Sequence, residues 1–319
     1  MFDRLQFEWY DIERDPAGWD DSVNGAGQNV FHRAATLAAE QSGRAVRRGV
    51  VVKRFGARVC LVGGLIAPHG TGGLFTALSF PPASPRVAPD LPGRILEWLF
   101  YQGLTTVRIG CHDGGVEGYQ IDPRTGRADE RLEFVYDLSL DEAQRLRIAG
   151  AEHRRLLETS WREPMRLRRI DRHQAWTMAC AQAAWATRRD GRVAMFGVMR
   201  NYRYLRRLVL QMKHDGSGNL YGIHDRRGRM LAMAYMLERS GTAYYLTGAN
   251  SDEGQRRGAA VRLFFELAQH YARLGIGFMN IGGVSAQAAD TRHRDFGLYH
   301  FKSGFGAHPV LRRCLAAVV

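Results

Sequence analysis

Apolar residues recur at helical spacing in "VFHRAATLAAEQSG" (30–43), which closes on Gly43, so a helix is expected there after a β-rich start. "GVVVKRFGARVCLVGGLIAP" (49–68) predicts two strands of a hairpin around Gly56. Glycine and proline predict irregular chain at 67–73 and again at 79–93. A short amphipathic helix is expected at 93–104. A strand follows at 105–115 and ends in the polar, glycine-rich tip "CHDGG".

The pattern then repeats at larger scale. A strand is expected at 130–140, a long polar helix at 141–161, a helix at 173–192 closed by Gly191, and a basic amphipathic helix at 199–212. Residues 219–250 predict three strands, with turns at Asp225–Gly228 and Ser240–Gly241. A strongly amphipathic helix at 254–275 leads into a strand at 276–283 that ends in glycines, and His308–Pro309 reads as a turn. "GLTTVRIG" (103–110) and "GIGFMNIG" (275–282) share G-[LI]-x-x-[VM]-x-I-G, each after an apolar helix. The echo predicts an α/β protein of two similar lobes, each a mixed sheet flanked by helices. A lobe at 1–140 and a lobe at 141–319 are expected, with the last strand able to return to the first lobe. The length of 319 residues agrees with two domains of roughly 100–200 residues each.

Composition narrows the class. Hydrophobic residues make up 45% and charged residues 24%, as in globular domains. No apolar run approaches the ~20 residues that span a bilayer, so no integral membrane segment is expected. The N-terminus is acidic and aromatic, unlike a signal peptide, so a cytoplasmic protein is expected. The four cysteines have neither metal nor disulfide-frame spacing and are expected as buried free thiols, with no metal. The net charge of +13 favours an anionic partner, and the basic residues cluster at Arg44–Arg48, Arg154–Arg155, Arg162–Arg172 and Arg200–Arg207. Of 45 cationic residues only Lys53, Lys213 and Lys302 are lysines.

Two stretches carry candidate chemistry. Gln255, Arg256, Arg257, Gly258 and Ala260 form Q-x-x-G-x-A at a helix start, where free backbone N–H groups can hold an anion. This resembles the pyrophosphate loop of GNAT acyltransferases. With "GLYHFKSGFGAHPV" (297–310), the region 240–310 resembles the second lobe of the FemABX family, two-lobed GNAT-like aminoacyltransferases. The resemblance implies that a primary amine of a small molecule or peptide attacks the ester of an aminoacyl-tRNA without a covalent enzyme intermediate. It implies no cofactor, only aminoacyl-tRNA as donor. It places Phe301 and Lys302 beside the reacting carbonyl, with Phe301 and Phe305 alternating around the lysine and packing in the core. Lysine suits that place because a compact ammonium meets an oxygen as a point charge.

Further candidates are positional. Tyr244 and Tyr245 precede the anion loop, one facing the donor and one the core. Arg154 and Arg155 match a basic helix that the FemABX family uses, so phosphate contact is implied. His112 and Asp113 end the first-lobe strand, where an acceptor amine could be oriented or deprotonated. Lys53 could meet an acceptor's charge. A monomer or loose dimer is expected. The chain lacks the extended helical arm of peptidoglycan-bridging members, which puts a cell-wall acceptor in doubt. The well-kept Q-x-x-G-x-A loop leaves acyl-CoA open as the donor, and an RNA-binding protein on an inactive frame remains a third reading.

Overall fold

A computed structural model describes residues 5–26, 29–81, 88–122, 124, 126–190, 195–239 and 241–319. Gly191 and Ser240 lie outside the described residues. The chain divides into two units, Met1–Leu132 with Leu311–Val319, and Glu133–Val310. The division falls inside a strand rather than after residue 140, and the C-terminal strand is counted with the first unit.

The first unit contains β1 (Leu5–Asp11), α1 (Pro16–Gly25), α2 (Ala34–Glu40), β2 (Val46–Arg54), β3 (Ala57–His69), β4 (Gly72–Ala77), α3 (Leu91–Tyr101), β5 (Leu104–Ile109) and the start of β6 (Arg127–Asp137). β1 to β4 form an antiparallel run, and β4 and β5 pair in parallel. Alternation sorts the side chains to two faces. Val50, Val52 and Val62 pack under α3 with Ile95, Leu96 and Leu99. Val51 and Leu61 face Trp19, Val23 and Leu37. The expected hairpin turns at Phe55 and Gly56, both with positive φ (51° and 80°). The irregular chain expected at 67–73 is instead a second hairpin: β3 runs to His69 and Gly70 turns it (φ 58°). Pro68 is tolerated because pairing with β2 ends at Ile66, so Pro68 has a partner only on the β4 side.

The second unit continues with α4 (Glu142–Ile148), α5 (Ala151–Trp161), β7 (Arg166–Ile170), α6 (Gln174–Asp190), α7 (Met195–Asp215), β8 (Gly218–His224), β9 (Met230–Arg239), β10 (Thr242–Asn250), α8 (Asp252–Arg256), α9 (Ala259–Arg273), β11 (Phe278–Ser285), α10 (Phe296–Ser303) and β12 (His308–Val318), whose residues from Leu311 belong to the first unit. Its strands lie in the order β6-β11-β10-β9-β8-β7. β10 and β11 are parallel, whereas β7 to β10 are antiparallel. Each unit is thus a mixed sheet flanked by helices. α9 buries Val261, Phe264, Phe265, Leu267, Ala268 and Tyr271, and each large side chain so covered stabilises by roughly 1.5–3 kcal/mol.

Three expectations are corrected. The single helix expected over 141–161 breaks at Gly150, whose N–H donates to the carbonyl of Gly304 (2.8 Å). His308 and Pro309 begin β12 and do not form a turn. Cys111 and Cys314 are joined in a disulfide, while Cys60 is free and buried and Cys180 free and exposed. Among the described residues, no helix is long and apolar enough to cross a membrane.

Candidate active site

β10 and β11 pair for only three residues, Thr242 with Phe278, Ala243 with Met279 and Tyr244 with Asn280. Beyond that the ladder stops. β10 bulges between Tyr245 and Thr247, and β11 turns left-handed at Gly282 (φ 77°). A buried carboxylate holds the fork. Glu133 on β6 is fully buried and accepts hydrogen bonds from Tyr244 Oη (2.9 Å) and Asn280 Nδ2 (2.9 Å). A buried carboxylate persists only with such donors. Asn280 Oδ1 in turn accepts the N–H of Gly282 (2.8 Å).

Lys302 enters the open end of the fork. Its Nζ donates to the carbonyl of Gly283 (3.1 Å) and lies 6.0 Å from the centroid of the Tyr245 ring. A ring face at that range attracts a cation. Lys302 is only 6% exposed. A Cβ at Gly282 would stand 3.2 Å from Nζ, so that position needs glycine for both φ and space. Burial raises the Tyr245 hydroxyl to about 12, keeping it protonated.

An aromatic cluster supports the lysine. Lys302 and Phe301 lie on α10 and Phe305 just beyond its end, and the Phe301 and Phe305 rings meet with centroids at 5.2 Å. Phe264 of α9 meets Phe301 (5.8 Å) and Tyr245 (4.9 Å). His153 of α5 stands edge-on to Phe305 (4.6 Å), and a Cβ at Gly304 would collide with its ring at 2.3 Å. Burial lowers the His153 pKa and favours the neutral ring.

The Gln255–Ala260 stretch is a tight link between two helices. Ser251 caps α8, and Gly258 is left-handed (φ 68°) and serves as the N-cap of α9. A Cβ at Gly258 would lie 2.8 Å from the carbonyl of Leu156 on α5. Arg262 fixes α5 by donating to the carbonyls of Ser160 (2.6 Å) and Met165 (2.9 Å). The first N–H groups of α9 have no partner within a helix, and residues of that turn line a cavity of about 380 Å³ together with Gln255, Glu152, His300 and Phe301. A second cavity of about 250 Å³ adjoins it through Asn250, Ala260 and Phe301 and is lined also by Tyr245 and Phe264.

The candidate residues thus separate. Lys302, Phe301, Tyr245, Gln255, Gly258 and Ala260 come together around these two cavities. Tyr244 is the core-facing tyrosine, bound to Glu133. Arg256 is paired with Glu253 and Arg257 with Glu163 (2.7 Å), so both guanidiniums already hold carboxylates. Arg154 donates to the carbonyl of Ala149 (2.6 Å) at the end of α4. Arg155 is exposed on α5. His112, Asp113 and Lys53 belong to the first unit. His112 Nδ1 lies 3.0 Å from the carbonyl of Leu78 and its Nε2 3.2 Å from Arg131. Asp113 sits in a turn (φ 56°), and Lys53 pairs with Glu8 (2.6 Å).

Sequence reasoning missed Glu133, Asn280, Glu152, His153 and His300. Glu133 did leave a trace, an acid inside the apolar strand "LEFVY". The others carried no pattern of their own. Among the described residues, no group of three or more His, Cys, Asp or Glu is placed to hold a metal.

Known proteins give this geometry a context. The profile of the family described as "Acetyltransferase (GNAT) domain" matches residues 143–303. The fold is similar to that of FemX, at 14% identity over 98% of this chain and 97% of that one, with a TM-score of 0.72. It is similar to L-PGS from Bacillus licheniformis, at 16% identity over 95% and 92%, with a TM-score of 0.58. It is also similar to a tandem GNAT protein from the clavulanic acid biosynthesis pathway, at 12% identity over 98% of each chain, with a TM-score of 0.50. No curated protein matches the sequence. At such identities the structural likeness is one of fold, and the family rests on the profile, which covers half of the chain. With its mixed sheets, its forked β10–β11 pair and that match, the chain belongs to the GNAT acetyltransferase-domain family, an acyltransferase built of two tandem units.

Proposed function

We propose that the protein moves an aminoacyl group from aminoacyl-tRNA to a primary amine of a small molecule or peptide. The amine nitrogen attacks the ester carbonyl and a C–N bond forms. The C–O bond to the tRNA ribose breaks, and the amine's proton ends on the released hydroxyl. The ester is already activated, so the enzyme's task is alignment and charge stabilisation. The observation that carries this reading is the buried Lys302 at the open end of the β10–β11 fork. An ammonium has three donors and can meet a carbonyl oxygen as it turns into an oxyanion. The net charge of +13 suits a polyanionic donor.

A second reading, with acyl-CoA as donor, is favoured by the Gln255–Ala260 link, which lines the larger cavity at the first turn of a 15-residue helix. Because Arg256 and Arg257 already hold carboxylates, a pyrophosphate would rely on the backbone there. Paired titrations at near-physiological salt, one with charged tRNA and one with acetyl-CoA, separate the two. Binding of tRNA that weakens with salt, without a response to acetyl-CoA, is expected. Tight binding of acetyl-CoA without tRNA binding would overturn the first reading in favour of the second.

A further inference from the structure

The smaller cavity says what the transferred group looks like, an inference that rests on the acyl-transfer reading. Its walls are Met233 of β9, Tyr245 of β10, Leu263 and Phe264 of α9, and Leu298 and Phe301 of α10. The remaining described lining is alanine, glycine and Asn250, so among the described residues no charged side chain lines it. At about 250 Å³ it far exceeds the ~10–15 Å³ that one water requires. An acetyl group, with one methyl, leaves most of it unfilled.

Two observations tie the cavity to the reacting centre. Lys302 Nζ stands over the Tyr245 ring, and that ring forms the cavity wall. Ala260 and Phe301 line both this cavity and the one at the start of α9. A donor held at the α9 N-terminus with its carbonyl at Lys302 therefore has its acyl side chain beside Tyr245, Phe264 and Leu298. Leu298 is 53% exposed at the rim, an apolar side chain that such an acyl group would cover.

We infer that the transferred group carries an uncharged, apolar side chain of several carbons, aliphatic or aromatic. A cationic side chain would be desolvated without an acid to receive it and beside the Lys302 ammonium. The acid of the adjoining cavity, Glu152, is hydrogen bonded to His300 (2.9 Å). A carboxylate side chain would be desolvated among the same rings. Filling the cavity instead removes apolar surface from water on both partners.

Stable amide analogues of 3′-aminoacyl-adenosine test this, bearing leucyl, phenylalanyl, glycyl, lysyl or glutamyl groups. Thioether analogues of CoA with matching apolar, small and charged chains form a second frame. Binding of each set is measured by calorimetry to the full chain and to Leu298→Glu, a change at an exposed position. In whichever frame binds, the leucyl or phenylalanyl type is expected at least tenfold tighter than the glycyl, lysyl and glutamyl types. Leu298→Glu is expected to cut the apolar-over-lysyl ratio about tenfold. Binding in one frame without an apolar preference overturns the inference and leaves the transfer reading standing. Binding in neither frame overturns both.

Discussion

The two units carry the same strand motif and use it in opposite ways. In each, an apolar helix ends at a left-handed glycine, Gly103 (φ 85°) or Gly275 (φ 76°), and a strand of the shared pattern follows. In the first unit β5 pairs with β4 from Leu104 to Ile109, with one register shift after Leu104, and the N–H of Gly110 then donates to the carbonyl of Ala77 (2.8 Å). In the second unit β11 leaves β10 after Asn280, and the equivalent glycine, Gly282, gives its N–H to the Asn280 side chain. The position of Asn280 in the motif is taken by Arg108 in the first unit. The difference teaches that the motif builds the strand, while one side chain that competes for a backbone N–H decides whether the pair stays shut or forks. Once forked, β11 exposes a carbonyl at Gly283, and Lys302 satisfies it.

The largest expected effect comes from removing that lysine. Lys302→Ala leaves the Gly283 carbonyl without this donor, at a cost of about 1–3 kcal/mol in stability. Transfer should fall much further, about 10²–10³-fold, the usual loss when one oxyanion donor is removed. Lys302→Arg should restore little, because a planar fork prefers bidentate oxyanions and does not meet a single carbonyl oxygen as a compact point charge. Single-turnover rates on the folded fraction check this. A rate within threefold of the parent would remove the lysine from the chemistry and leave it a structural brace of the fork.

Asn280→Leu attacks the fork itself. The change keeps the volume but withdraws a donor from the buried Glu133 and an acceptor from Gly282. A loss of about 2–4 kcal/mol is expected, since each buried group left without its partner costs about 1–3 kcal/mol. Transfer per folded molecule should fall about tenfold, because Gly282 no longer fixes the strand under Lys302. Denaturant titration and rates on the folded fraction separate the two effects. Unchanged transfer per folded molecule would show that the fork keeps its shape without this side chain.

How much of this was legible depends on the range of the cause. The two-unit α/β plan could be read because helical and alternating periods are local, and the echo of 103–110 in 275–282 is visible as text. Phe301–Lys302 and Gln255–Ala260 could be singled out because unusual residues sit there at short spacing. Their partners could not. The carboxylate that Arg257 holds, Glu163, lies far back in the chain. The break of the 141–161 helix at Gly150 depends on Gly304, and the pairing of Cys111 with Cys314, 203 residues apart, depends on how β12 registers against β5. Glu133 reads as a misplaced acid until Tyr244 and Asn280 converge on it. Each of these is a contact between segments distant in sequence, which no local period encodes.

The smallest expected effect belongs to the shut counterpart of the fork. His112 follows the first-unit motif as Gly283–Val284 follow the second, and its chemistry invites a role in handling the amine. Its surroundings hold both ring nitrogens. Nδ1 faces the Leu78 carbonyl and must carry the proton, so Nε2 is the acceptor, and Arg131 faces it. A ring so bracketed has its lone pair engaged by Arg131 and is held in place on both sides. His112→Ala should therefore lower stability by about 1 kcal/mol through the lost hydrogen bonds and change transfer by less than threefold. A hundredfold loss of transfer, with the denaturation midpoint unmoved, would mean that the tip of β5 takes part in the reaction. The contrast between a shut unit and a working fork would then have to be replaced by two units that both carry chemistry.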